Sequence, residues 1–182
     1  MSALRRNISA AMFGTVAFIV MLAVGVQILP AAPFLRYEPS GVMILAATVL
    51  LGPVGGLFAS LVNNMLFLMT GAGNVFGVSA NFINTSVYAL TTGLIIRRVC
   101  TPRGHLAAYT AGTIAGTLVM IPANLVILSL QFGMTTETIM ELMLPAILPF
   151  NILKGALNSL LFHLVGRSLI KVIKRSRIGV AY

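Results

Sequence analysis

Residues 149–159 read Pro-Phe-Asn-Ile-Leu-Lys-Gly-Ala-Leu-Asn-Ser, setting one lysine and two asparagines into an otherwise apolar stretch. On a helix, Asn151, Lys154 and Asn158 fall at i, i+3 and i+7, so an ammonium and two amides share one face with Gly155 beside them. Such a face suits a polar guest, because the ammonium donates hydrogen bonds and each amide both donates and accepts. An ionisable residue inside a spanning helix is costly and usually faces the protein interior, which makes Lys154 a functional candidate. The competing reading is a lysine near a helix end that snorkels to the membrane surface. Snorkelling accounts for a lone lysine and not for the two amides beside it.

Asn81, Asn84 and Tyr88 repeat the i, i+3, i+7 spacing in another apolar run, and Asn63, Asn64 and Asn124 add amides in two more. Amides in hydrocarbon can simply tie helices together at roughly 1 kcal/mol each. For each of these asparagines, joining helices and binding a ligand are both open readings.

The elements that must position these groups follow from composition. With 58% hydrophobic and 8% charged residues and a mean hydropathy of +1.01, the chain reads as a single all-α integral-membrane domain over residues 1–182. Six apolar runs reach or approach the roughly 20 residues that cross a bilayer. They are residues 8–29, 41–51, 54–70, 75–96, 106–130 and 144–173. Pro30-Ala31-Ala32-Pro33 interrupts the helical pattern after the first run, and Gly52-Pro53 separates the short second run from the third. Gly71-Ala72-Gly73-Asn74 is a turn, Arg97 to Gly104 a basic turn, and residues 131–138 a polar connection. Arg5 and Arg6 before a long first apolar run imitate a secretory leader, but that run exceeds a leader's core and reads as a retained span.

Twelve Lys and Arg against three Glu give a net charge of +9. These charges lie between the apolar runs and not along one exposed stripe, which argues against nucleic-acid binding. With the N-terminus in the cytoplasm, Arg5, Arg6, Arg97, Arg98, Arg103, Arg167, Lys171, Lys174, Arg175 and Arg177 all fall inside. That pattern predicts six spans with both termini cytoplasmic. Glu38, Glu137 and Glu141 then fall outside the spans. The 17 residues from Lys154 to Lys171 cover about 25 Å of helix, so a site around Lys154 opens outward.

No enzyme is visible. The chain lacks a phosphate-binding glycine loop ending in lysine, and His105 and His163 have no partner cluster for a metal. No carboxylate is predicted within a span for acid–base chemistry or proton relay. Cys100 is alone, which rules out an intrachain disulfide. No cofactor is expected. Ala10 and Gly14, with Ala17 on the same helix, form a small-residue face that permits close helix approach.

Four blocks in order resemble a known family. They are Leu35-Arg36-Tyr37-Glu38-Pro39-Ser40, Leu51-Gly52-Pro53-Val54-Gly55-Gly56, Gly73-Asn74-Val75-Phe76-Gly77-Val78-Ser79-Ala80-Asn81-Phe82 and Pro149-Phe150-Asn151-Ile152-Leu153-Lys154-Gly155. The chain resembles the S component of an energy-coupling-factor vitamin transporter, nearest the riboflavin type. The resemblance implies a six-helix subunit in a prokaryotic cell membrane that captures a vitamin from outside. It also implies docking through small residues of the first helix, here Ala10, Gly14 and Ala17, onto a transmembrane coupling protein driven by two ATPase subunits. Asn151 and Lys154 carry over as ligand contacts, and the loop of residues 30–40, with Leu35 and Tyr37, covers the site. Gly41, Val42 and Met43 replace an acidic residue followed by Ile-Pro, and Asn63 replaces a lysine common in the third helix. Phe34, Phe67, Phe82, Tyr88 and Phe150 offer an apolar slot for a ring system, while Asn151, Lys154 and Asn158 suit a polyol chain. Other vitamins (cobalamin, pantothenate, thiamin or a pyrimidine relative) and a non-transport membrane scaffold are the competing readings. A bound yellow fluorophore distinguishes the scaffold from the flavin-binding subunit.

Overall fold

A computed structural model describes residues 2–28, 35–99 and 101–175. Phe34, Cys100, Arg177 and the first part of the covering loop, residues 30–34, lie outside the described residues. The chain runs as α1 (Ala3–Ala23), β1 (Val26–Gln27), β2 (Arg36–Tyr37), α2 (Gly41–Leu51), α3 (Pro53–Met69), α4 (Val75–Ile96), α5 (Pro102–Phe132), α6 (Thr136–Leu142) and α7 (Leu148–Arg175). A π-helical turn, Met143–Ile147, joins α6 to α7 without a break. Counted that way, the described residues form six helical rods.

The first span ends earlier than hydropathy predicts. Helix α1 stops at Ala23, and the apolar residues after it leave the helix so that Val26 and Gln27 pair antiparallel with Tyr37 and Arg36. The β-branched Val24 and Val26 around Gly25 favour extended chain over helix. The predicted single loop of residues 30–40 is therefore, in its described part, the second strand of a small hairpin leading straight into α2. At the other end, helix resumes at Thr136 with Thr135 as its N-cap, so the connection after α5 is only three residues long.

Helix ends follow local chemistry. Asn74 caps α4 by accepting the Gly77 N–H at 2.7 Å, and Thr101 caps α5 by accepting the Gly104 N–H at 3.1 Å. Between α2 and α3 the chain turns at Gly52, whose φ of 86° suits only glycine, and Pro53 opens the next helix where no N–H is needed. The π turn answers two prolines, one within it and one just after it. Pro145 and Pro149 lack N–H donors, and the local widening lets the Leu148 N–H bond the Met143 carbonyl instead.

Helix α2 is apolar on every side and sits in the middle, in contact with α1, α3, α4 and α7. Its Val42, Leu45 and Ala46 pack with Tyr88, Tyr109 and Phe162, and the last two rings meet edge-on at 6.0 Å. Along α1 the buried positions are Ser9, Ala10, Gly14, Ala17 and Met21, while Ile8, Met12, Val16 and Ile19 are exposed on the opposite side. The small-residue face of α1 packs within the chain, against α2, α3 and α4. A methyl group at Gly14 would stand 2.7 Å from the Ala59 carbonyl oxygen, and Ala10 packs with Ala47, Leu51 and Ala59. Ala17 packs with Ile44 and Ala89. Ala10, Gly14 and Ala17 thus serve close packing within the chain, because the smallest residues lie where two backbones approach.

Among the described residues, Ala3–Ala23, Arg103–Phe132 and Thr136–Gly166 are long and apolar enough to cross a membrane, and Gly41–Leu51 and Pro53–Met69 are shorter apolar helices. The remaining rod, α4, turns Asn81, Thr85, Ser86 and Thr92 inward.

Candidate functional site

Helix α7 enters from the π turn with Asn151 and Lys154 facing the bundle interior. Lys154 is 7% exposed. Its Nζ donates to Glu38 Oε1 at 2.6 Å and to Asn81 Oδ1 at 2.9 Å. It does not snorkel. Glu38 follows β2 directly, lies outside every helix and is 4% exposed, so the hairpin strap carries a carboxylate down onto α7. Taking both charges out of water is expensive, and the pair persists because each finds its partner at contact distance.

The ammonium anchors a chain of polar contacts. Asn81 passes its own N–H to Asn64 Oδ1 at 3.0 Å, and Asn64 donates to the Ser60 carbonyl at 2.8 Å. Thr85 gives its proton to the Asn81 carbonyl at 2.7 Å, so at the 2.6 Å contact between Ser60 and Thr85 the Ser60 hydroxyl is the donor. A second set crosses three helices. Asn84 of α4 donates to Asn151 Oδ1 of α7 at 2.9 Å and to the Gly116 carbonyl of α5 at 3.2 Å. Asn151 donates to the Ile147 carbonyl at 2.8 Å. These bonds fix amide orientation on the walls of a cavity.

That cavity has a volume of about 250 Å³. Its polar lining includes Glu38, Asn81, Asn84, Asn124, Asn151 and Lys154, and its apolar lining includes Met21, Leu35, Phe67, Val78, Met120 and Phe150. Leu35 and Phe150 pack together with Ala146, which joins the strap to the start of α7. An apolar slot with a few convergent polar groups is the usual form of a small-molecule site.

Of the residues expected at the site, Leu35, Asn81, Asn84, Phe150, Asn151 and Lys154 line the cavity, as does Phe67. Tyr37, Asn63, Tyr88 and Asn158 do not. Asn158 lies a turn beyond Lys154, against Gly41, and accepts from the Tyr37 hydroxyl at 3.3 Å. Burial and, after it, the Glu38 carboxylate raise the Tyr37 phenol above its ordinary range, which keeps it a donor. Tyr88 shares a 2.6 Å hydrogen bond with Ser159 inside the apolar core. Asn63 is fully buried and donates only weakly to Met21 Sδ at 3.6 Å. Among the described residues its Oδ1 has no hydrogen-bond partner. Phe82 is half-buried away from the cavity.

Sequence reasoning missed three wall components. Sequence reasoning places Glu38 outside the spans, in the covering loop, without assigning it to the site, although the need of a buried ammonium for a counter-charge is a signal for it. Asn124 was noted as an amide at membrane depth without being assigned to the site, and it lines the cavity while donating to the Met120 carbonyl at 2.7 Å. Ala72, Gly73 and Asn74, which the sequence marks only as a turn, also line the cavity. No group of three or more His, Cys, Asp or Glu residues placed to hold a metal occurs among the described residues.

Comparison with known proteins places this geometry in a family. The chain is 29% identical over 178 residues to the riboflavin transporter RibU of Staphylococcus aureus (strain TCH60), covering 94% of this chain and 93% of that protein. It is 25% identical over 172 residues to the riboflavin transporter FmnP of Bacillus subtilis (strain 168), covering 88% and 90%. A solved S component of a bacterial ECF transporter superposes with a TM-score of 0.81 at 29% identity, over 95% of this chain and 99% of that one. The family described as the substrate-specific component of ECF transporters matches residues 5–166. A covered cavity in an apolar helical bundle, the match to the family and the shared fold agree: this chain belongs to the substrate-specific components of ECF transporters.

Proposed function

We propose that the chain captures riboflavin at the outer face of a prokaryotic cell membrane, as the binding subunit of an ATP-driven importer. The carrying observation is the cavity lined by the hairpin strap and the bundle helices, where rings and aliphatic side chains stand together with amides and one ammonium. Phe67, Phe150, Leu35 and Met21 suit the flat ring system, and the amides of Asn84, Asn124 and Asn151 with the Lys154 ammonium suit a polyol chain and ring carbonyls. The names of the two curated relatives support the same ligand. The departures from the family blocks do not weaken it, because Gly41, Val42, Met43 and Asn63 all lie off the cavity wall.

In this reading the chain crosses the membrane six times with both termini cytoplasmic, as the basic residues suggest. It neither hydrolyses ATP nor accumulates substrate alone. A transmembrane coupling protein and two ATPase subunits supply the energy. The test is direct. The chain, purified without other subunits, should release riboflavin on denaturation, identified by mass spectrometry, and should quench flavin fluorescence on titration. Protein that carries a different vitamin refutes riboflavin and keeps the transport class. Protein that binds no vitamin favours the scaffold reading.

A further inference from the structure

The cavity wall carries two cations, exposed Arg36 and buried Lys154, and one anion, buried Glu38. Glu38 belongs to no helix and completes no helix cap, yet its carboxylate is held 2.6 Å from the Lys154 ammonium. A buried ion pair is weak evidence for stability, since apolar residues of similar volume often do as well. Its placement on the wall of a ligand cavity gives it another consequence. Glu38 and Asn81 take two of the three ammonium donors, which leaves one for a ligand.

We propose that Glu38 restricts the cavity to uncharged ligands by occupying the ammonium that an anionic ligand would otherwise pair with. The proposal rests on the flavin reading above and names the residue that sets its selectivity. An uncharged hydroxyl or carbonyl can take the remaining N–H without disturbing the pair. A phosphate monoester brings about −1.5 to −2 charges and can reach Lys154 fully only by displacing Glu38, which then lies beside it as a like charge. Selectivity of this kind comes from penalising the wrong ligand as much as from rewarding the right one.

The experiment titrates the purified subunit with riboflavin and with riboflavin 5′-phosphate, following flavin fluorescence. Wild-type protein prefers riboflavin. Glu38→Gln keeps an acceptor for the ammonium and removes the charge. It should narrow that preference by about tenfold or more, chiefly by tightening the phosphate ester, because a charge-assisted contact becomes available. Glu38→Asp should keep the wild-type ratio whatever it does to each affinity. Lys154→Gln leaves the carboxylate unopposed and should widen the ratio. If Glu38 is merely structural, its replacement weakens both flavins in proportion, and an unmoved ratio overturns the proposal. Should Glu38→Gln fail to fold, the Lys154→Gln ratio decides, and no widening overturns it equally. Wild-type protein that binds neither flavin overturns the flavin reading and this inference together. Riboflavin binding with an unmoved ratio overturns the inference alone.

Discussion

The cavity end of the bundle and its apolar interior bury their helices by different means. Around the cavity, α3, α4, α5 and α7 are joined through amides and hydroxyls, and one ion pair ties the strap after β2 to α7. Around α2, the joints are apolar side chains and small residues that let backbones close on each other. The difference shows how a membrane protein can hold a void open without collapsing. Directional bonds fix wall side chains in place when no neighbour stands in front of them, whereas an apolar wall beside a void loses contacts it could recover by closing. Burial alone therefore does not mark function here. Buried polar groups bonded to one another across helices line the cavity, and buried small residues lie at the close-packed joints.

The sharpest way to break this contrast is Lys154→Met. It removes the central donor of the polar end and leaves Glu38 with no counter-charge, a change that costs about 3–5 kcal/mol when a buried pair loses one partner. A lower melting temperature and a riboflavin affinity reduced roughly 10- to 150-fold, from loss of a charge-assisted bond, are expected by thermal shift and titration calorimetry. Unchanged affinity with a gain in stability would return Lys154 to the role of a snorkelling residue. Next comes Gly14→Leu at the close-packed joint. Its side chain meets the Ala59 carbonyl and Val62, and overpacking of this kind costs about 1–3 kcal/mol. The isolated subunit should melt earlier. An unaltered melting curve would mean that this face is free for a partner and that α3 does not hold it. The smallest effect belongs to Tyr37→Phe, which removes one 3.3 Å hydrogen bond to Asn158 outside the cavity wall. Stability should fall by no more than about 1 kcal/mol, with ligand affinity within a few-fold. A larger loss of affinity would bring Tyr37 into contact with the ligand and move the boundary between the two regions.

Much of the polar end was legible in the residues themselves. An ammonium and amides within apolar helices must find partners, so Asn81, Asn84, Asn151 and Lys154 announced a shared interior before their geometry was known. Periodicity carried them onto the right faces, but one turn too far. Asn158 and Tyr88 continue the same stripes and end against Gly41 and Ser159, because a stripe extends along the whole helix and a cavity does not. Glu38 was harder to place, since it sits in irregular chain with no period to read. The end of α1 was obscured for a related reason. Apart from Gln27 the residues from Val24 to Leu29 are apolar or glycine, and hydropathy does not distinguish helix from strand there. Ala10, Gly14 and Ala17 showed that a close approach occurs there without naming the partner. Gly14 approaches α3, Ala10 packs on α2 and α3, and Ala17 lies against α2 and α4, all neighbours in the same chain.

The π turn at Met143–Ile147 makes local winding a determinant of which residues face the cavity. An α-helix advances about 100° per residue, and the widened turn absorbs an additional residue just before Asn151 and Lys154 without turning the stripe that follows. Rewinding this turn as regular helix with the same number of residues would rotate everything after it by over a quarter turn. Asn151 and Lys154 would then swing out of the cavity with every wall residue still present in the sequence. Aligned relatives can therefore match at each polar position and still line their cavities differently, if they differ in whether this turn is widened.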